Sequence, residues 1–90
     1  MEAPSDSGPC AYLLRCGDGT LYAGAAKDLA QRIATHQAGK GARYTRARLP
    51  VALAWYQACD DWSAALKREY QLKRLGKSAK EALVRAGLAG

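Results

Sequence analysis

Residues 10–25 read CAYLLRCGDGTLYAGA and predict a β-hairpin. Two largely apolar runs, residues 11–16 and 20–25, flank a Gly-Asp-Gly turn signal. If the residues next to the turn pair with each other, Tyr12 and Tyr22 become diagonal neighbours on one face of the two strands. The hairpin therefore presents two phenol groups on the same surface of a sheet.

The segment after the hairpin predicts a helix, a connection and a third strand. Asp28 is a good N-cap for a helix that runs to about residue 38 and ends at a glycine. Residues 39–49 are rich in glycine and arginine, and they form a connection with room for a short helical turn. Residues 51–56 read VALAWY, an apolar run with β-branched and aromatic residues that predicts a strand.

The last third of the chain predicts two helices. Asp61 or Ser63 can cap a long helix to about residue 75. The sequence Ser-Ala-Lys-Glu at 78–81 is typical of a capping box and opens a final helix that stops at Gly87. The expected order is β-β-α-β-α-α, in the α/β (α+β) class. The expected architecture is a small three-stranded antiparallel sheet flanked by helices.

Length and composition indicate one ordinary globular domain. The chain has 90 residues, of which 49% are hydrophobic and 24% are charged. We expect a loose tail over residues 1–9 and a single domain over residues 10–87. No run approaches the roughly 18 apolar residues of a membrane span, and the first residues carry no signal-peptide pattern. We therefore expect a cytoplasmic protein with no membrane partner.

The charge is strongly positive and unevenly distributed. Fourteen Lys and Arg residues against eight Asp and Glu give a net charge of +6. One acid-free cluster lies in the connection, and a second basic cluster spans residues 67–80. The first cluster consists of Lys40, Arg43, Arg46 and Arg48. Such clusters favour a polyanionic partner, most often nucleic acid, over a generic soluble surface.

Cysteine usage argues against two classes of small protein, those stabilised by disulfides and those that fold around zinc. The three cysteines cannot form a closed set of disulfides, and none of them has C-x-x-C spacing. A structural zinc site needs four closely placed N or S ligands, and three scattered cysteines with His36 as the only histidine do not predict one. We expect reduced cysteines that are mostly buried as small apolar residues.

The long helix carries a carboxylate inside its apolar arc. At 100° per residue Trp62, Leu66 and Tyr70 share one face, which Ala65 and Leu72 widen, and Glu69 falls within it. A buried carboxylate needs a partner or a metal. The simpler interpretation is an i,i+4 ion pair with Lys73.

The first helix repeats this pattern. Leu29 and Ile33 mark its apolar face, and Arg32 and His36 lie one turn apart beside it. A structural histidine and a snorkelling arginine would explain the pair equally well. If the helices cover the tyrosine face of the sheet, however, a cleft gathers the following groups: Tyr12, Tyr22, Arg32, His36 and Glu69. These are parts for metal-assisted phosphodiester cleavage, because one carboxylate can hold Mg²⁺ when water and phosphates complete the shell.

The same residues resemble the GIY-YIG nuclease superfamily, in particular its small single-domain bacterial members. The likeness spans residues 10–85 and rests on YLLRCGDGTLYAG at 12–24, KDLAQRIATH at 27–36, GKGARYT at 39–45 and EYQLK at 69–73. The first motif here reads Cys-Ala-Tyr and the second Tyr-Ala-Gly. Both departures keep the chemical residues and alter the volume on the opposite face of each strand.

The resemblance implies a role for each matching residue. Tyr12 would be the base, or the partner of the base, for the attacking water, and Tyr22 would position water or phosphate. Arg32 would stabilise charge on the phosphate, and Glu69 would be the one metal ligand from protein. His36 and Tyr44 fall where the family often places supporting catalytic residues. The basic cluster would contact the DNA backbone without reading its sequence, while Lys73 would hold Glu69 or contact phosphate.

We therefore expect an endonuclease that uses Mg²⁺ or Mn²⁺ to hydrolyse DNA, in DNA repair or processing. RNA stays open as a substrate, and we expect specificity to come from a protein partner, an oligomer or a DNA structure. We expect a monomer or a weak dimer. Two alternatives retain the fold without turnover: a nucleic-acid-binding module, and a subunit of a repair complex.

Overall fold

A three-stranded antiparallel sheet forms the centre of the computed structural model, which describes residues 8–87. Its strands are β1 (Cys10–Arg15), β2 (Leu21–Ala26) and β3 (Ala52–Ala58), in the order β2-β1-β3. The hairpin register is confirmed: Tyr12 lies opposite Gly24, and the residue two places further along β1 lies opposite Tyr22.

Four helices surround the sheet: α1 (Leu29–Gln37), α2 (Arg43–Arg46), α3 (Trp62–Arg74) and α4 (Lys77–Ala86). The element order and the flanking helices are as predicted, and α2 is the short helical turn expected in the connection. The carboxylate of Asp28 caps α1 by accepting from the amide of Gln31, and that of Asp61 caps α3 by accepting from the amide of Ala64. None of the helices within residues 8–87 is long and apolar enough to cross a membrane.

The sheet is covered on both faces, because alternate residues of β1 enter two different cores. Tyr12 and Leu14 pack with Leu29 and Ile33 of α1 on one face. Leu13 packs with Leu72 of α3 on the other face. Since β1 is the central strand, its side chains are almost entirely buried, which makes the hairpin the foundation of both layers.

The start of the domain is tied to the sheet. The amide of Gly8 donates to the carbonyl of Lys27 at 2.7 Å, and the carbonyl of Pro9 accepts from the amide of Cys59 at 2.9 Å. Residues 1–7 of the expected tail lie outside the described residues. The cysteines are free as expected, with Cys10 and Cys16 buried.

The predicted apolar face of α3 is wrong in part. Leu66 is 43% exposed and Tyr70 is 62% exposed, whereas Ala65 and Leu72 are fully buried. The helix crosses the sheet on the narrow stripe that contains these two smaller residues. Tyr70 accepts a hydrogen bond from Arg74, 2.9 Å away, and faces solvent. The helical wheel finds an apolar arc, but the direction of packing decides which part of that arc is covered.

The capping box predicted for α4 is also wrong. The N-cap is Gly76, one residue before the helix begins at Lys77, and it has no side-chain cap. Glu81 binds Arg15 of β1 instead, with 2.7 Å between Oε1 and Nη2. A charge-assisted, paired contact with a guanidinium outweighs a hydrogen bond to a backbone amide.

Candidate functional site

A cleft of about 350 Å³ opens on the tyrosine face of the sheet. Gly24 and Ala25 of β2 line it together with residues from α1, α3 and the loop 40–42. All the residues predicted to converge lie around this cleft: Tyr12, Tyr22, Arg32, His36 and Glu69. Their catalytic roles stay predictions, but the hairpin and two helices bring them together from distant parts of the chain.

A directed chain of hydrogen bonds runs away from the cleft. The hydroxyl of Thr45 donates to the carbonyl of Ala42 at 2.9 Å, so its oxygen is left to accept from Nδ1 of His36 at 2.8 Å. Nδ1 therefore carries the imidazole proton, and Nε2 presents a lone pair. Nε2 lies 3.1 Å from the hydroxyl of Tyr12, which donates to it. The network thus fixes a single tautomer of His36.

Burial keeps Tyr12 and His36, the two cleft residues of this hydrogen-bond chain, neutral. Desolvation is the largest cause that raises the pKa of Tyr12 far above its usual range, although Arg32 acts in the opposite direction. Desolvation also lowers the pKa of His36, and the positive charge of Arg32 adds to the decrease. At neutral pH a phenol therefore faces an unprotonated imidazole nitrogen, the arrangement that allows a proton to pass from oxygen to nitrogen.

Two further tyrosines form an aromatic stack next to the histidine. The ring of Tyr22 lies 5.6 Å from that of His36 and 5.7 Å from that of Tyr44, measured between centroids. Tyr44 does not reach the cleft. Its hydroxyl donates to Thr20 at 2.8 Å, and the guanidinium of Arg48 lies 3.8 Å from its ring centroid. Tyr44 thus stacks on Tyr22, which in turn contacts His36.

Two glycines allow the cleft residues to approach the backbone. A Cβ at Gly24 would overlap the ring and hydroxyl of Tyr12, and a Cβ at Gly41 would overlap the imidazole of His36. Gly41, Ala42 and Thr45 were not predicted as part of the site, because their contribution is made through backbone space and a hydroxyl.

Among residues 8–87, Glu69 is the one carboxylate that lines this cleft. Its side chain is 23% exposed, and Oε2 lies 3.3 Å from Nζ of Lys73, as in the predicted ion pair. Within residues 8–87 no group of three or more His, Cys, Asp or Glu side chains is placed to hold a metal ion. A single carboxylate in an open, polar cleft fits Mg²⁺ or Mn²⁺, whose remaining ligands are water and phosphate oxygens.

The basic cluster is divided by the fold. Lys40 lines the cleft, and Arg43 and Arg46 are exposed on α2. Arg48 instead binds Asp18, with 3.0 Å between Nε and Oδ2, while its Nη1 donates to the carbonyl of Tyr44. Of the cluster, Lys40 therefore lies at the cleft, Arg43 and Arg46 are open to solvent, and Arg48 is held by partners within the domain. Contact of the cluster with nucleic acid stays a prediction.

The burial of His36 leads to a pH dependence of stability. The pKa of His36 in the folded chain lies below the ordinary value. As pH falls through about 6.5, the unfolded chain therefore binds more protons than the folded chain. We expect the melting temperature to decrease as the pH is lowered from about 7 to about 5.5, the range in which a histidine titrates. Asp18 and Glu81 do not interfere, because hydrogen bonds from Thr20 and Arg15 hold their pKa values below the usual range. A melting temperature that is constant or rises on acidification would contradict a buried neutral His36.

The arrangement defines a class: a small α/β domain with a tyrosine–histidine pair, an arginine and one carboxylate around an open cleft. The model of the GIY-YIG catalytic domain matches residues 8–82. The chain therefore belongs to the GIY-YIG catalytic domain family, which suggests nuclease activity and DNA binding. Nucleases of this family generally use divalent metals.

Its relatives are UPF0213 proteins of bacteria and archaea. A UPF0213 protein of Bacillus cereus is 45% identical over 78 residues, which cover 87% of this chain and 81% of that protein. One from Halobacterium salinarum is 47% identical over 72 residues, covering 80% and 94%. The solution NMR structure of the UPF0213 protein BH0048 from Bacillus halodurans is 40% identical, with a TM-score of 0.56 over 87% of this chain and 83% of that one.

Proposed function

We propose that this protein is a divalent-metal-dependent endonuclease that hydrolyses DNA phosphodiester bonds, with DNA repair or processing as its setting. The observation that carries the proposal is the directed chain of hydrogen bonds from Tyr12 through His36 to Thr45, which begins at the cleft that Arg32 and Glu69 also line. A structural histidine needs partners for its nitrogens, but it does not need a tyrosine hydroxyl whose other side faces a cleft with opposite charges.

In the proposed reaction, Tyr12 and His36 act as a proton relay. The attacking water gives a proton to the phenol oxygen of Tyr12 as the phenol proton passes to Nε2 of His36. The oxygen of the water forms a bond to phosphorus, and the bond to the 3′ oxygen breaks. The imidazolium is then held in place by its Nδ1–H bond to Thr45. The leaving oxygen takes its proton from solvent.

Arg32 and Glu69 serve the phosphate. The guanidinium of Arg32 stabilises the negative charge that develops on the phosphate oxygens. Glu69 would hold Mg²⁺ or Mn²⁺, which supplies further charge stabilisation when bound. Lys73 orients the carboxylate by its ion pair. The DNA backbone is bound by the cations Lys40, Arg43 and Arg46. These contacts give affinity without sequence preference.

The direct test is a cleavage assay with purified protein. Labelled duplex, single-stranded and branched DNA are each incubated with Mg²⁺, with Mn²⁺ and with excess EDTA. We expect cleavage with metal and none with EDTA, and the three substrates identify the preferred structure. If every substrate remains intact while DNA binding is salt-sensitive and independent of metal, the chain is a binding module and the nuclease proposal is wrong.

A further inference from the structure

A second groove, of about 450 Å³, lies next to the catalytic cleft. One wall is a single face of α1 and its N-cap, made by Asp28, Gln31, Arg32 and Thr35 at i, i+3, i+4 and i+7 spacing. The opposite wall is Trp62, the first residue of α3. Lys27 and Ala26, at the end of β2, complete the lining. Nothing in the proposed reaction uses the aromatic wall.

The two cavities share one lining residue. Arg32 lines both the catalytic cleft and the groove. On α3, Trp62 lies seven residues before Glu69, which is two turns on the same helical face and about 10.5 Å along the axis. The groove therefore leads from the phosphate-binding position to the indole, a separation suited to the next nucleotide of a bound strand.

The groove presents cations and a flat aromatic surface together. The ammonium nitrogen of Lys27 lies 5.2 Å from the ring centroid of Trp62, so this ring already accepts a cation on its face. Trp62 is half-buried, and Lys27 is exposed on a flexible side chain. The carboxylate of Asp28 accepts from the backbone amide of Gln31 as the cap of α1. Two cations against one engaged carboxylate leave the groove net positive.

We propose that this groove binds an unpaired nucleotide of DNA next to the bond that is cut, with its base stacked on Trp62. The base would replace the ammonium of Lys27 on the ring, and Lys27 and Arg32 would hold the flanking phosphates. Because paired bases in a duplex are already stacked on their neighbours, the indole is available only to a base that is unpaired or displaced. The proposal rests on the proposed function, and it specifies a substrate with a single-stranded or branched segment at the cleavage position.

Binding measurements in EDTA test the groove without requiring turnover. The probes are a fluorescein-labelled oligothymidylate, an abasic oligomer of the same length, and a blunt hairpin duplex, followed by fluorescence anisotropy. We expect Trp62→Leu to weaken binding of oligothymidylate by about 5- to 150-fold, the range of one base–aromatic stack. Trp62→Phe retains an aromatic face and should recover most of the affinity. Binding of the abasic oligomer should be the same for Trp62→Leu and the parent.

The salt dependence separates stacking from charge. Lys27→Gln should reduce the slope of log K against log salt by about 0.7, the value for one phosphate contact on a single strand. Trp62→Leu should lower the affinity and leave the slope unchanged. Tyr70→Leu, which removes an exposed aromatic of the same helix outside both cavities, is the matched control and should bind like the parent. Thermal unfolding of each variant establishes that it is folded.

The outcomes are distinct for the two proposals. Equal oligothymidylate binding by parent and Trp62→Leu, or equal binding of the abasic and base-containing oligomers by the parent, overturns the stacking groove even if DNA is cut. Loss of stacking in Trp62→Leu without metal-dependent cleavage by the parent supports a nucleotide groove and refutes the nuclease.

Discussion

Glu69→Gln is expected to reduce metal-dependent DNA cleavage by roughly 10³-fold or more, equal to about 4 kcal/mol of transition-state stabilisation. The substitution keeps the size and polarity of the side chain and removes the one carboxylate that lines the cleft. It also leaves Lys73 without its partner at 3.3 Å. A neutral amide is a poor ligand for Mg²⁺ that has no other protein carboxylate.

The same variant should bind DNA in EDTA at least as tightly as the parent, because a negative charge has been removed from a positive surface. Initial rates of cleavage and anisotropy titrations measure the two properties separately. Glu81→Gln is the matched control, since this carboxylate lies outside the cleft in a pair with Arg15. We expect unchanged cleavage from it. Undiminished cleavage by a clean preparation of Glu69→Gln would remove Glu69 from the mechanism.

Tyr12→Phe is expected to lower kcat by roughly 10²- to 10⁴-fold, the range for loss of a general acid–base group. Only the hydroxyl that donates to Nε2 of His36 is removed. KM should change little, because Arg32 and the basic rim still bind the phosphates. In the parent, kcat should fall as pH decreases through the lowered pKa of His36, since the imidazolium cannot accept the phenol proton. The residual activity of the variant should lack this dependence.

Stability is the confounding factor for this variant. Removing the hydroxyl leaves a buried nitrogen without its donor, at a cost of about 1–3 kcal/mol. Rates are therefore compared at a temperature where circular dichroism shows both proteins folded. Tyr70→Phe removes an exposed hydroxyl bound by Arg74 and should keep full activity. Parent-like kcat and pH dependence in folded Tyr12→Phe would exclude the proton relay.

The features that could be predicted are those determined by neighbouring residues. The hairpin follows from a glycine-rich turn between two apolar runs, and its register places Tyr12 opposite Gly24. The helix starts at Asp28 and Asp61 follow from the short reach of an aspartate to the amide three residues on. The faces that carry Arg32 and His36 follow from helical periodicity. From the spacing of the motifs, the sequence also predicted that the cleft residues lie on one surface.

The features that were missed depend on contacts between distant segments. Glu81 suits a capping box locally, but Arg15 of β1 is a stronger partner. Leu66 and Tyr70 are apolar enough for a core, but the sheet has room for only one stripe of α3. Thr45 is an ordinary polar residue until α2 places its hydroxyl against Nδ1 of His36.

Local sequence thus determined the strands, most helix boundaries and the set of reactive groups, because turns, caps and periodicity act over a few residues. Tertiary packing alone decided which face of α3 is buried, which tautomer His36 adopts, and that Arg32 lines both the tyrosine cleft and the groove that contains Trp62. These properties depend on the distance and direction between groups on different elements. Only the packed sheet and helices set those distances and directions.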